Sequence, residues 1–131
     1  MSVEGLVTTR SARNPAEVIA RLKAEIVARK LTIFAEIDHA AGAEAVGLTL
    51  RPLFLIIFGA AKGGTPLMQA AATAGIDLPL KLLVWQDAEG ATQVSYNDPE
   101  WVARRHGLGA AVDTPVHAMS GMLRGLVDAA V

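Results

Sequence analysis

Four pairs of a capping residue and a proline divide the sequence and constrain where its helices begin. A side-chain oxygen at the N-cap accepts a hydrogen bond from a free backbone N–H, and a proline at the first helical position loses no hydrogen bond. Each such pair therefore predicts a helix start. In the first pair, Glu17 follows Asn14 at the spacing of a capping box. The four pairs are Asn14-Pro15, Thr65-Pro66, Asp98-Pro99 and Thr114-Pro115.

Strand patterns flank the first predicted helix. Residues 5–11 alternate in the manner of a strand with one solvated face. Residues 31–38 alternate as well and place Ile33, Ala35 and Ile37 on one face, because successive side chains of a strand point to opposite faces. Both segments are therefore predicted to be strands that pack one face on the core.

Further strand patterns cluster in the middle of the chain. Residues 47–52 and 53–59 predict two consecutive strands, and the second is apolar on both faces. That pattern indicates a central strand with helices on one side and a partner subunit on the other. Residues 80–97 predict a hairpin around residues 87–90, where a glycine suits a positive φ.

These elements favour one fold class. A parallel sheet needs a crossover helix after almost every strand, and this chain lacks them. The sequence therefore predicts an α+β fold, a two-layer sandwich with a largely antiparallel sheet. At 131 residues, with no linker or repeat, we predict a single domain over residues 1–131. A C-terminal helix is predicted to dock on the sheet or a partner through Val116, Met119, Leu123, Leu126, Val127 and Ala130.

Composition and charge exclude several classes of function. The formal net charge is -1 and no basic stripe is present, so we expect no nucleic-acid partner. The chain has no cysteine, which removes disulfides, thiolate metal sites and cysteine nucleophiles. No targeting segment is visible and the longest apolar run is far short of the roughly 20 residues of a membrane span, so we expect a bacterial cytoplasmic protein with no membrane partner. The 52% hydrophobic content favours a homodimer.

The first candidate site is the glycine-rich stretch "FGAAKGGTPLMQ". Gly63 and Gly64 let a ligand approach the backbone, and a helix that starts at Thr65 would attract an anion. The alternative is a flexible turn in which Thr65 is an ordinary N-cap. A nucleotide phosphate loop is excluded, because no Lys-Ser/Thr pair follows Gly64. The tentative ligand-binding residues are Lys62, Gly63, Gly64 and Thr65, with His39 and Lys81 as neighbouring groups.

The second candidate is the adjacent pair Asp38-His39 at a predicted strand end. An aspartate and a histidine can act as an acid/base pair or as metal ligands. The alternative is that Asp38 caps the alanine-rich turn that follows. A metal needs three or four convergent ligands, and His106 and His117 lie far along the chain, so we predict no metal site and name no cofactor.

Three long segments of the chain resemble a known family. "IDHAAGAEAVGLTLRP", "LIIFGAAKGGTPLMQAAATAGIDLPLKLLVWQDAEG" and "VSYNDPEWVARRHG" resemble the bacterial family known as domain of unknown function 302. The resemblance implies a compact homodimeric protein, with an antiparallel sheet and helices on one face, in the outline of the TATA-binding protein. The family typically has Asn-Pro where this chain has Ala60-Ala61. It has no established activity, so no catalytic residue is carried over.

Three hypotheses for function follow. The favoured one is a homodimeric module that binds a small molecule or anion at the glycine-rich stretch. An enzyme that uses Asp38-His39 as its acid/base pair is the second, so whether the chain is an enzyme stays open. The third is a structural or protein-interaction module without a ligand pocket.

Overall fold

The computed structural model describes residues 2–131. Within them, five strands form one sheet in the order β1-β5-β4-β3-β2, and every neighbouring pair is antiparallel. The predicted α+β class with an antiparallel sheet is confirmed. The strands are β1 (Leu6–Ser11), β2 (Thr32–Asp38), β3 (Leu53–Gly59), β4 (Leu80–Gln86) and β5 (Thr92–Asn97).

Helices cover one face of this sheet and make the second layer. The long α1 and α5 pack against each other, and α3 and α4 pack against α5. The α-helices are α1 (Pro15–Ala28), α2 (His39–Ala45), α3 (Ala61–Ala70), α4 (Pro99–Arg105) and α5 (Asp113–Ala130), and short 3-10 helices occupy Ala72–Ile76 and Ala110–Val112.

The hydrophobic core lies between the helices and the inner face of the sheet. From β3 and β4, Ile56 and Leu82 are fully buried. The helices contribute the buried stripe of α1 and the predicted stripe of α5, all six residues of which are buried. Burying such an aliphatic side chain stabilises the fold by about 1.5–3 kcal/mol. The α1 stripe is Val18, Leu22 and Ile26.

Among residues 2–131, no helix covers the outer face of the sheet. Leu55 and Leu83 are paired across β3 and β4 and are half-buried, and Ile37 on the edge strand is 38% exposed. Trp85 donates its Nε1–H to Ser95 Oγ at 2.9 Å, and Ser95 is only 1% exposed. The outer face is therefore apolar in its middle, with one buried hydroxyl at the β4–β5 side.

A bulge in β2 changes which residues face the core. Ile33 pairs with Phe58 on the inner face, whereas Ala35 pairs with Ile57 on the outer face. Phe34 is the extra residue between these two registers. The prediction that Ile33, Ala35 and Ile37 share one face was therefore wrong, because strict alternation holds only for a strand without a bulge.

Two of the four predicted helix starts are confirmed. Asn14 Oδ1 accepts from the N–H of Glu17 at 2.8 Å, and Asp98 Oδ1 accepts from the N–H of Glu100 at 3.0 Å. The other two predictions were wrong: α3 already begins at Ala61, four residues before Thr65, and α5 begins at Asp113.

The strand predicted over residues 47–52 is absent, and these residues form an irregular connection. β3 already pairs with β2 on one side and β4 on the other, so no free strand edge is available beside it. Val46, Leu48 and Leu50 are 73%, 66% and 48% exposed. Their alternation is that of a strand, but the chain gives them no partner.

The predicted β4–β5 hairpin is confirmed, and Asp87 organises its turn. The carboxylate accepts from the N–H groups of Glu89 and Ala91, at 3.0 and 2.9 Å, and from Gln93 Nε2 at 3.0 Å. These hydrogen bonds, that from Gln93 above all, lower the pKa of Asp87 below its usual 3.8. Gly90 closes the turn with φ +84°, a conformation that favours glycine.

Candidate functional site

A cavity of about 290 Å³ lies between α3, α5 and the turn that precedes β4. Its wall consists of glycine, alanine, proline and larger apolar side chains. Three of the larger side chains are the methionines Met68, Met119 and Met122. Methionine is flexible and polarisable and adapts to the shape of what it contacts. The cavity is therefore suited to an apolar guest.

The two glycines of the first turn of α3 make this space. A Cβ atom at Gly64 would lie 3.5 Å from Leu78 Cδ1 and 3.7 Å from Met68 Cε, and one at Gly63 would lie 4.0 Å from Met119 Cε. These are ordinary contact distances, so both glycines tolerate alanine, but any larger side chain would extend into the cavity.

Two features of the sheet complete the wall. Gly59, at the end of β3, has φ +154°, a conformation that L side chains rarely adopt. Phe34, the extra residue of the β2 bulge, is 53% exposed and lines the cavity. Bulges re-aim a side chain that regular pairing would point elsewhere, and here the result is an aromatic ring beside the glycine-rich stretch.

The structure brings only part of the predicted site together. Gly63 and Gly64 line the cavity, whereas Lys62 and Thr65 are exposed and do not. Thr65 is not an N-cap, because it lies inside α3 and its Oγ1 donates to the carbonyl of Ala61 at 2.6 Å. Gly63 and Gly64 therefore stay candidate ligand-binding residues, whereas the expected capping role of Thr65 was wrong.

His39 lies away from this cavity, whereas Lys81 is next to its wall but does not line it. Gly59, in the cavity wall, pairs with Thr32 at the start of β2, and His39 follows the end of that strand. At about 3.3 Å per residue, β2 separates the two ends by roughly 20 Å. Lys81 is on β4 opposite Ile57 on the outer face, and its Nζ donates to Pro79 O at 3.2 Å.

Asp38 and His39 do not assemble an acid/base site. Asp38 caps α2, because its Oδ1 accepts from the N–H of Ala41 at 2.8 Å, and His39 is an exposed first residue of that helix. This is the capping alternative considered from the sequence. Within residues 2–131, no three His, Asp or Glu side chains are grouped so that they could hold a metal ion.

A polar cluster built around a largely buried pair, His106 and Asp77, was not predicted from the sequence. His106, which follows α4, is 7% exposed in its side chain and contacts Asp77 Oδ2 through Nε2 at 2.5 Å. Its Nδ1 lies 2.9 Å from the hydroxyl of Thr73. Arg105 Nη1 donates to both oxygens of Asp77 at 2.9 Å. Thr73 and Asp77 are four residues apart, but nothing local in the sequence connects them to a histidine 29 residues beyond Asp77.

With the fold and these sites described, comparison with known proteins identifies the family. Residues 7–127 match the family described as "Domain of unknown function DUF302". The chain belongs to this family, as its sequence resemblance implied.

A solved structure has the same fold. The crystal structure of an uncharacterized conserved DUF302 protein from Bacillus stearothermophilus matches with a TM-score of 0.86 over 98% of this chain and 100% of that chain. The two sequences are 16% identical, so this likeness concerns the fold alone.

Curated relatives carry a more specific name. The chain is 44% identical over 115 residues to "Fluoride-specific ion channel FluC 1" of Brucella suis biovar 1 (strain 1330) and to the protein of the same name from Brucella abortus biovar 1 (strain 9-941). The match covers 88% of this chain but only 45% and 43% of those proteins. The chain thus spans less than half the length of these relatives. None of the helices within residues 2–131 has both the length and the apolar character needed to cross a membrane.

Proposed function

We propose that this protein is a small-molecule-binding module whose ligand occupies the cavity beside the first turn of α3. The observation that carries the proposal is the apolar space of about 290 Å³ that Gly63 and Gly64 leave open. Glycine in a helix costs roughly 0.5–1 kcal/mol relative to alanine. Two consecutive glycines whose Cβ positions are free of clashes are therefore explained better by a guest than by packing.

The cavity favours a compact ligand with an apolar body. Its volume is near the lower limit of small-molecule sites, about 300 Å³, and is roughly twice that of a cavity that holds benzene. The wall offers no charged side chain. Ala60 and Ala61, where α3 begins, also line it. A single anionic group on the ligand would be favoured there by the helix dipole, with Lys62 next in the chain.

A thermal-shift panel tests this proposal directly. Aryl and short alkyl carboxylates, each paired with the matching alcohol, are added to the purified protein. A ligand at 100 times its Kd adds about 2.7 kcal/mol of stability, so Tm rises. We expect the carboxylate of a pair to raise Tm more than the alcohol does. Equal shifts within every pair would remove the anionic part of the proposal.

A filled-cavity variant provides the matched control. Gly64→Leu places a side chain in the cavity, and Gly121→Leu places one on α5 where nothing lies within 4 Å of the new Cβ. We expect Gly64→Leu to abolish the ligand-induced rise in Tm and Gly121→Leu to retain it. Absence of any shift in the unmodified protein, or equal shifts in both variants, would contradict the cavity as the site.

The channel relatives support a second candidate, a partner module of a fluoride channel. Proteins named as fluoride-specific ion channels contain a segment 44% identical to this chain, and a domain that is fused to another in one polypeptide can also act on it as a separate chain. A bacterial strain that lacks this chain should be more sensitive to fluoride but not to chloride, and the chain should restore tolerance. Unchanged fluoride tolerance would exclude this candidate.

We further propose that the protein is a cytoplasmic homodimer that associates through the outer face of the sheet. The apolar Leu55, Leu83 and Ile37 occupy that face without a covering helix, and the absence of cysteine suits a reducing compartment. Leu83→Lys should convert a dimer into a monomer in analytical ultracentrifugation. Val27→Lys, at a 64% exposed site on α1, is the control that should leave the dimer intact. A monomeric unmodified protein would refute the dimer.

A further inference from the structure

We propose that the polar cluster of Thr73, Asp77, Arg105 and His106 makes Thr73 a nucleophile that accepts acyl groups from small esters. Thr73, His106 and Asp77 form a continuous hydrogen-bonded relay of hydroxyl, imidazole and carboxylate. A nucleophile within reach of a base that is itself oriented by a third group is the arrangement that activates hydroxyls in enzymes. This site is separate from the cavity beside α3 and does not depend on the proposed small-molecule function.

The hydrogen-bond roles within the relay follow from the chemistry of its members. An ionised carboxylate only accepts hydrogen bonds, so Asp77 holds the proton of His106 on Nε2. A neutral imidazole with its proton on Nε2 has an acceptor at Nδ1. The hydroxyl 2.9 Å away is therefore the donor. Thr73 directs its proton at a base and exposes the oxygen lone pairs.

The surroundings keep the relay in this arrangement. Asp77 is 10% exposed in its side chain and His106 is 7% exposed. Arg105 contacts both oxygens of Asp77 and its guanidinium lies 5.8 Å from the centre of the Trp101 ring. The arginine holds the carboxylate in place through these two contacts, so it is a positioning residue. The base is thus shielded from water while Thr73 itself is exposed and accessible to a reagent.

The acyl transfer balances without a cofactor. Thr73 Oγ1 attacks the ester carbonyl carbon while His106 Nδ1 takes the hydroxyl proton. The bond from that carbon to the leaving oxygen breaks, and the imidazolium returns the proton to the leaving group or to solvent. The products are an O-acyl threonine and an alcohol or phenol. Water that attacks the acyl group by the same route regenerates the hydroxyl.

In the test, the intact, folded protein is treated with p-nitrophenyl acetate. It is then digested, and the acetylated residues are identified by mass spectrometry. We expect acetyl groups on Thr73 and none on Thr65, because Thr65 is also exposed but donates to a backbone carbonyl rather than to a base. Because both threonines are compared in the same sample, differences in reagent concentration or digestion cannot explain a difference between them. Equal acetylation of Thr65 and Thr73, or labelling of lysines with none on Thr73, would overturn the proposal.

Variants separate activation from simple exposure. Thr73→Ser keeps the hydroxyl and should remain acetylated, and Thr73→Val keeps the shape and should not. A general base contributes about 10²–10⁴-fold in rate, so His106→Gln should slow acetylation of Thr73 by at least about 100-fold. Unchanged acetylation of Thr73 in His106→Gln would refute the role of the base. Far-UV circular dichroism checks the fold of each variant. If His106→Gln does not fold, Asp77→Asn is tested in its place, and unchanged acetylation of Thr73 in that variant would refute the role of the base.

Discussion

The two helices α1 and α3 both follow a strand, but their first turns are held in opposite ways. Asn14 caps α1 with its side chain, and Pro15 is the first helical residue. The first turn of α3 has no side-chain cap, contains Gly63 and Gly64, and is followed by Pro66 inside the helix. A proline at that position removes an intrahelical hydrogen bond. Local chemistry thus specifies α1, whereas α3 depends on what it packs against and borders the cavity.

The family resemblance sharpens this difference. The Asn-Pro pair typical of the family would stand at Ala60 and Ala61, which are the N-cap and first residue of α3. That pair is the arrangement seen at Asn14 and Pro15. In this chain, α3 begins at the position of that pair, but Ala60 provides no side-chain cap. The missing cap is why the sequence pointed to Thr65-Pro66 instead.

The largest effect is expected in the buried stripe of α1. Leu22 is fully buried, and Leu→Ala in a core typically costs 2–5 kcal/mol, through lost burial and the cavity that remains. Leu22→Ala should lower the free energy of unfolding by about 2–5 kcal/mol in urea titration. Val27→Ala, on the exposed side of the same helix, should change it by less than about 0.5 kcal/mol. Similar losses for both would show that α1 does not anchor the core.

Exchanging the caps of α1 and α3 tests the comparison itself. Asn14→Ala should destabilise the protein by about 1 kcal/mol, since it removes the acceptor for the N–H of Glu17. Ala60→Asn should stabilise it by a similar amount, about 1 kcal/mol, because Ala60 already has the extended φ of -136° and ψ of 135° of an N-cap. Chemical denaturation measures both. A destabilised Ala60→Asn would mean that the first turn of α3 cannot accept a cap.

A smaller gain is expected from Gly64→Ala. The new Cβ lies at ordinary contact distances, and alanine favours helix over glycine by roughly 0.5–1 kcal/mol. The ligand-free protein should therefore be more stable while ligand binding weakens. Gly121→Ala on α5 is the control, with a similar gain in stability and unchanged binding. If Gly64→Ala destabilised the ligand-free protein, the glycine would be required for packing and not for a guest.

The smallest effect is a local response of the β4–β5 hairpin to acid. The hydrogen bonds that Asp87 accepts lower its pKa in the folded state. Their stabilisation is therefore fully present above the usual value of 3.8 and is lost as pH falls through the lower, folded pKa. The protection of the Glu89 and Ala91 amides, taken relative to their intrinsic exchange rate at each pH, should fall below pH 3.8, and Asp87→Asn should remove that step. Exchange that is equally pH-dependent in the variant would contradict this account. Like α1, the hairpin is specified by its own side chains.

Prediction from the sequence succeeded where the signal is local. The capped start of α1, the hairpin turn at Asp87 and the apolar stripe of α5 all depend on residues within one or two turns of each other. It failed for residues 47–52, where strand-like alternation lies in an irregular connection beside β3, a strand whose two edges are already paired. The glycines located the cavity, but its apolar chemistry depends on side chains as distant in sequence as Phe34 and Met122.

The polar cluster shows the same limit more sharply. Thr73 and His106 lie 33 residues apart, and their contact exists only because the 3-10 helix after α3 packs beside the end of α4. His106 directly follows α4, and this position in the sequence gives no reason to connect it to a hydroxyl.

The bulge at Phe34 reverses which alternate residues of β2 face the core. Before it, Ile33 belongs to the core; after it, Ala35 and Ile37 belong to the opposite face. Because of one inserted residue, apolar side chains at alternate positions of a single edge strand lie on both faces of the sheet. Without the insertion, the strand would have to abandon either the core contact of Ile33 or the apolar outer face, and the ring that lines the cavity would be lost with it.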